Sequence, residues 1–274
     1  MPIAPLPHRG VLEVAGPDRV AFLQGLVTND VTDLVPGQAV WAALLTPQGK
    51  WLADFFVIET GEAFLIDAER EAVPMLAQRL SRFRLRSKVT LRDASAEWEV
   101  HAAWGEPPPG SEVVAADPRL PEAGWRVLHA TPLPADASVE DYDAHRLALG
   151  LPDGSRDMAV EKSVLLEGGF DELHGVSWSK GCYMGQELTA RTRYRGLLKK
   201  RLFPVAVAGA LPEPGTPLTD AAGAEVGEMR SGHEGRGLAL LRIDALDRAP
   251  FTAGGATVTP VIPGWMQLQA REEA

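Results

Sequence analysis

Residues Val176 to Leu202 read VSWSKGCYMGQELTARTRYRGLLKKRL, and the character of the chain changes across them. Val176 to Trp178 reads as a short strand entering a loop, and in that loop Gly181 and Gly185 bracket Cys182, the only cysteine. Glycine permits tight backbone geometry, so such a loop can present a side chain into a cleft. From Gln186 the run QELTAR reads as the start of a helix. The positive end of that helix and Lys180, two positions before the thiol, would both favour a thiolate at Cys182. A lone cysteine is also commonly a small buried hydrophobe, and the residues alone leave both readings open. Arg191, Arg193, Arg195, Lys199, Lys200 and Arg201 then form a basic run broken by the single aromatic Tyr194. It reads either as a solvated face with carboxylate partners or as a site for an anionic tail or acidic partner.

Beyond Lys200 come short alternating runs, Phe203 to Val207, Glu225 to Arg230, Leu238 to Ile243 and Thr257 to Ile262, each bounded by Gly or Pro. That spacing predicts a small β-barrel. Ahead of the motif the texture is mixed. Val11 to Ala15 alternates as a strand, and Val20, Leu23 and Val27 recur at helical spacing behind Asp18. Ala39 to Leu45 and Trp51 to Glu59 flank Thr46-Pro47-Gln48-Gly49, a type I turn pattern, and read as a hairpin. Ala63 to Ala68 predicts a third strand, Val73, Leu76, Leu80 and Phe83 a second helix, and Lys88 to Arg92 a short strand. The order βαβββαβ resembles a split β-α-β sheet with one added strand, with helices on one face of a mainly antiparallel sheet. From Trp98 to Leu128 two alternating stretches surround a Pro- and Gly-rich segment, Gly105 to Gly124, expected to be an exposed loop of little chemical interest. Ser138-Val139-Glu140-Asp141 carries a capping pattern, and its helix should end at Gly150-Leu151-Pro152. The class is therefore α+β, divided into an α+β unit over 1–93, a second over 94–198 that ends in the cysteine motif, and a barrel over 199–274.

Of 274 residues, 45% are hydrophobic and 23% charged, an ordinary globular balance that can bury a sizeable core. No apolar run approaches the roughly 20 residues that span a bilayer, and the start MPIAPLPHRG lacks a basic segment followed by an apolar one. Neither a membrane span nor a secretory leader is expected. One cysteine allows no intramolecular disulfide and agrees with a reducing compartment, so the expected location is the cytoplasm. Twenty-seven basic against thirty-seven acidic residues give a net charge of -10, which disfavours nucleic-acid binding. There is no Gly-x-Ser-x-Gly elbow, no phosphate-binding Gly-x-x-x-x-Gly-Lys loop and no Gly-x-Gly-x-x-Gly. The six histidines are scattered, and no metal site is expected.

The string KGCYMGQELTARTRYRGLLKKRL, Lys180 to Leu202, resembles the signature of the YgfZ-type folate-binding proteins, K-G-C-[FY]-x-G-Q-E, and is especially similar to their mitochondrial iron-sulfur assembly members. The resemblance extends to Phe22 through Val31, to Leu44 through Gly49, to Arg84 through Val89 and to Leu166-Glu167, weakening across 94 to 135. It implies the aminomethyltransferase-like fold of the glycine cleavage system: three subdomains in a ring, with ferredoxin-like split β-α-β units, a terminal β-barrel, and tetrahydrofolate in a central hole. It implies that Cys182 is the functional thiol, with Lys180 a catalytic candidate beside it and Lys180, Gly181, Gly185, Gln186 and Glu187 shaping its loop. Asn29, Asp54, Glu167 and Arg191 then become candidates to face the folate, together with Tyr183, Gln186 and Glu187. For Asn29 the residues also allow a turn or cap, and for Glu167 a partner of Arg191 or Lys180.

One departure bears on activity. The glycine cleavage aminomethyltransferases carry adjacent acids just after the glycine-containing turn, one of them catalytic, whereas this chain has Ala53-Asp54. Those enzymes also do not depend on the Lys-Gly-Cys motif. The expected function is thus a folate-binding accessory factor of iron-sulfur cluster maturation, and through it of transfer-RNA-modifying enzymes, that works with scaffold or carrier proteins. The alternative is a tetrahydrofolate-dependent aminomethyl or one-carbon transferase with Asp54 as its acid-base residue. An iron-sulfur cluster commonly takes four thiolates and this chain offers one. Cys182 would therefore donate a single ligand in a shared complex, exchange thiols with a partner, or act near a pterin.

Overall fold

The computed structural model describes residues 1–108, 110 and 112–268. Its chain starts in one sheet and continues in another. The first strand, β1 (Ile3–Pro5), is followed by β2 (Arg9–Ala15), β3 (Ala39–Leu45), β4 (Trp51–Glu59), β5 (Ala63–Glu69), β6 (Thr90–Asp93) and β7 (Glu99–Ala103). Strands two to six form an antiparallel sheet in the order β3-β4-β5-β2-β6, while β1 pairs with β7. The hairpin between β3 and β4 closes where the Gly49 amide donates to the Thr46 carbonyl at 2.8 Å. Gly49 has φ +81, a conformation that L side chains rarely adopt.

Strand periodicity sorts this sheet into two buried faces. Ala42, Leu44, Phe55, Val57, Phe64 and Ile66 meet helices α1 (Arg19–Gln24) and α2 (Val73–Ser81), whose Leu23, Leu76 and Leu80 recur at helical spacing. Trp41, Ala43, Leu45, Phe56, Ile58 and Leu65 point the other way into a core shared with the second sheet. With both faces covered, β4 is buried along its whole length. Phe83 departs from expectation: α2 ends at Ser81, before the fourth residue of the apolar pattern, and Phe83 is 42% exposed.

The second sheet runs β1-β7-β9-β8, with β8 (Val113–Ala116) and β9 (Trp125–His129). β8 lies inside the stretch expected to be an exposed loop, of which residues 109 and 111 fall outside the described residues. Pairing of β8 with β9 carries the stretch onto the sheet and places Asp117 and Arg119 in a buried ion pair of 2.7 Å. Helix α3 (Val139–Leu149) has the expected capping box, with Ser138 Oγ accepting from the Asp141 amide at 3.1 Å, and ends at left-handed Gly150. Helix α4 (Gln186–Tyr194) follows the cysteine loop. Val176 to Trp178, expected as a strand, is irregular; the Ser177 amide donates to the Thr28 carbonyl at 3.1 Å rather than joining a ladder.

The last unit is a closed barrel of β10 (Lys200–Ala208), β11 (Pro217–Thr219), β12 (Glu225–His233), β13 (Arg236–Arg242), β14 (Phe251–Ala253) and β15 (Ala256–Pro260), ordered β10-β13-β12-β11-β14-β15. Phe203, Val205, Leu218, Met229, Leu241 and Val258 fill it. β11 and β14 are too short to show an alternating pattern in sequence. Residues 269–274, within the expected barrel unit, lie outside the described residues.

Buried ions join the three units. Arg9 and Arg126 grip Asp67 at 2.7 and 2.6 Å, and Arg9 also reaches Asp153 at 3.5 Å. Arg146 on α3 meets Asp143 at 2.6 Å and Asp157 at 3.1 Å and donates to the barrel hydroxyl of Ser231 at 3.0 Å.

Candidate functional site

The cysteine loop is held from the first unit by backbone and lysine contacts. The Met184 amide donates to the Gly25 carbonyl at 3.2 Å, and Thr28 Oγ1 donates to the Gly175 carbonyl at 2.8 Å. Lys180 is buried, and its Nζ donates to the carbonyls of Val27 at 2.9 Å and Asn29 at 2.5 Å. Burial pushes its pKa down to about 8, with Asp30 acting the other way. Its ammonium also sits 5.5 Å over the Tyr183 ring. Lys180 thereby anchors the loop to the Val27 to Asn29 segment of the first unit.

Gly185 and Gly181 differ. Gly185 has φ +81, and a Cβ there would stand 2.5 Å from the Thr46 carbonyl oxygen and 2.8 Å from Leu45 Cβ. The hairpin turn therefore docks on the start of α4 only because residue 185 has no side chain. A Cβ on Gly181 would meet nothing within 4 Å, so the expected tightness on that side of the thiol is absent. Between them Cys182 is exposed. Gln186 Oε1 accepts from the Tyr183 amide at 3.4 Å, and the Tyr183 ring is buried in the shared core. Burial pushes the Tyr183 phenol up to about 12. Glu187 and Arg191 form a solvated i,i+4 pair at 3.3 Å.

Other residues singled out in the sequence are elsewhere or already engaged. Asn29 donates both amide hydrogens, to the carbonyls of Trp41 at 2.8 Å and His174 at 2.7 Å, and its Oδ1 accepts from the Asp30 amide at 2.9 Å. It is a structural knot with no donor left for a ligand. Asp54, on β4, is buried and accepts from Trp41 Nε1 at 2.9 Å; the Trp41 ring in turn stacks on Phe170 at 3.8 Å. Burial pushes its carboxyl up to about 6, against the pull of the Trp41 hydrogen bond and of Arg9 and Arg119. Glu167 accepts from the Val164 amide at 2.9 Å, and burial raises its pKa.

A cavity of about 710 Å³ opens among Asp171, Glu172, His174, Arg193, Arg201 and Trp265. Arg201 Nη1 donates to Glu172 at 2.7 Å, while its buried Nε and Nη2 have no hydrogen-bond partner among the described residues. A second hollow of about 610 Å³ is bounded by Asn29, Val40, His174 and Ser177 to Ser179. Cys182 lines neither, and of the expected folate residues only Asn29 lines either. The set named from sequence therefore does not gather on either of these two hollows. Arg201 was read only as part of the basic run, and its local sequence, Lys199-Lys200-Arg201-Leu202, held no signal to set it apart. Among the described residues no group of three His, Cys, Asp or Glu could hold a metal ion, and no helix is long and apolar enough to cross a membrane.

Two families match the chain in parts: the GCVT N-terminal domain over residues 5–116 and the CAF17 C-terminal beta-barrel domain over 199–268. The chain is 39% identical over 236 residues to the iron-sulfur cluster assembly factor IBA57 homolog, mitochondrial, of Mycosarcoma maydis, covering 77% of this chain but only 59% of that protein. It is 33% identical over 308 residues to the mitochondrial IBA57 of Mus musculus, covering 97% of this chain and 86% of the relative. For the Homo sapiens protein the figures are 34% over 270 residues, 86% and 76%. Among solved structures, the glycine cleavage system aminomethyltransferase T from Bartonella henselae superposes with a TM-score of 0.74 at 15% identity, covering 94% of this chain and 84% of that one. The fold is thus of the aminomethyltransferase type. The cytoplasmic expectation is corrected by these relatives, all three named as mitochondrial. A lone thiol reports a reducing environment, which several compartments share, and never distinguished among them.

Proposed function

The chain belongs to the IBA57 family of iron-sulfur cluster assembly factors, and from that premise we propose that it acts in cluster assembly by lending the Cys182 thiolate to a complex shared with a scaffold or carrier protein. One observation carries this reading: the only thiol stands exposed on an anchored loop, in a chain whose described residues include no other metal-holding group. A cluster that commonly takes four thiolates must then draw its remaining ligands from a partner. The role is that of an accessory factor, with enzymes that modify transfer RNA among those it would serve. Cys182→Ser should abolish maturation of a cluster-dependent enzyme while the melting temperature stays unchanged, since the side chain is solvent-facing. Undiminished maturation in that variant would sink the proposal.

A folate forms a separate part of the proposal and rests on the larger cavity, not on the residues first singled out. Its volume suits a drug-sized ligand. Arg201, two of whose nitrogens have no partner among the described residues, would hold a carboxylate and Trp265 a ring. A bound tetrahydrofolate supplies one-carbon chemistry. Titration with tetrahydrofolate read by tryptophan fluorescence should give saturable binding that Arg201→Met weakens by about tenfold or more; equal binding by both removes the assignment. Asp54 argues against the aminomethyltransferase alternative, because it is sealed under Trp41 and lines neither cavity.

A further inference from the structure

From Leu188 to Pro212 the chain has no Asp or Glu, yet six cations fall between Arg191 and Arg201 in a protein of net charge -10. The structure divides them. Arg191 pairs with Glu187, Arg193 approaches Asp171 at 3.5 Å, and Arg201 is buried against Glu172. Arg195, Lys199 and Lys200 are exposed and make no ion pair within 4 Å among the described residues, although Lys200 is near enough to Glu167 to favour its carboxylate. Beside them Tyr194 is 73% and Leu197 49% exposed.

This cationic end of α4 is tied to the thiol loop. The Arg193 guanidinium lies 4.1 Å from the Trp178 ring, and the Tyr194 ring is 6.1 Å from it, edge on. Trp178 precedes Cys182 by only a few residues, and α4, which separates thiol from cations, is only about 12–14 Å long. Thiol, exposed aromatic and free cations therefore fit within one interface of ordinary size, about 800 Å² per partner.

We infer that Cys182, Tyr194, Arg195, Leu197, Lys199 and Lys200 form a docking face for an acidic partner protein that presents a thiolate-held iron-sulfur cluster. This rests on the reading of Cys182 given above and specifies the partner's chemistry. The argument is charge complementarity: a cluster bound by thiolates is an anion, and the whole-protein field of this chain would repel it and an acidic carrier alike. Unpaired cations reverse that field locally, within a Debye length of about 8 Å at physiological salt. Tyr194 and Leu197 supply the apolar contact that interface centres use, with aromatic residues enriched there.

The probe is a labelled oligoglutamate peptide, its binding to the full chain followed by fluorescence anisotropy at low ionic strength. Reversing the charges in Arg195→Glu/Lys199→Glu/Lys200→Glu should weaken binding by about tenfold or more, as should raising the salt. The corresponding Gln variant should lose an intermediate amount, which separates a charge effect from misfolding. Peptide binding by the charge-reversed protein reports on the face, while maturation by Cys182→Ser reports on the thiol, so failure of the one is distinguishable from failure of the other. Equal binding by wild type and charge-reversed protein overturns the inference. So does tighter binding of transfer RNA than of the peptide through the same three cations.

Discussion

Single polar side chains in this protein are best understood by where their hydrogen bonds and charges are spent. Asp54 looks like an acid-base residue in sequence, but its carboxyl is raised to about 6 because burial outweighs the indole donor and the nearby guanidinium groups. The sign follows from linkage: between the unfolded value near 4 and about 6 the folded state binds the extra proton, so stability from this group falls as pH rises through that window. Asp54→Asn should therefore be more stable than wild type at pH 7, by an amount on the order of 1–3 kcal/mol, and the gain should vanish below pH 4. Urea melts across this range would show it; a gain that grows with acidity would contradict the assignment. Lys180 is the complementary case. Lys180→Met removes the donor to two carbonyls in the Val27 to Asn29 turn and should cost about 1–3 kcal/mol, visible as a lower urea midpoint.

At the scale of elements, the cysteine loop is positioned by a hairpin turn seated on a helix start. Gly49 and Gly185 approach so closely that a Cβ on Gly49 would lie 2.7 Å from the Gly185 carbonyl oxygen. Gly185→Ala combines a left-handed backbone with a clash against the Thr46 carbonyl and should destabilise by about 2–4 kcal/mol in thermal melts. Gly181→Ala, facing open space, should change stability by no more than about 0.5 kcal/mol. Equal losses in the two variants would refute the difference between them. The hairpin, α2, α3 and α4 were legible from apolar spacing and caps, because those signals are local. β8 was not, since a four-residue strand inside a Pro- and Gly-rich stretch becomes a strand only through pairing with β9.

Across the whole molecule, Arg146 couples α3 to the barrel through Asp157 and Ser231. Arg146→Met leaves buried Asp157 without its cation and should cost about 3–5 kcal/mol, with barrel and sheet signals separating in denaturant; a single unshifted transition would show the contact to be dispensable. The sequence by itself determined the α+β class, the terminal barrel and the glycine-flanked position of the single thiol, because strand and helix periods and turn residues are set by near neighbours, whereas the exposure of Cys182 came only with the fold. Tertiary structure alone decided that Asn29 and Lys180 are consumed as anchors, that Asp54 is sealed beneath Trp41, and that Arg201 is buried at the wall of a cavity. Burial and hydrogen-bond saturation depend on residues more than a hundred positions away, as with Lys180 and Val27, and no local pattern records them.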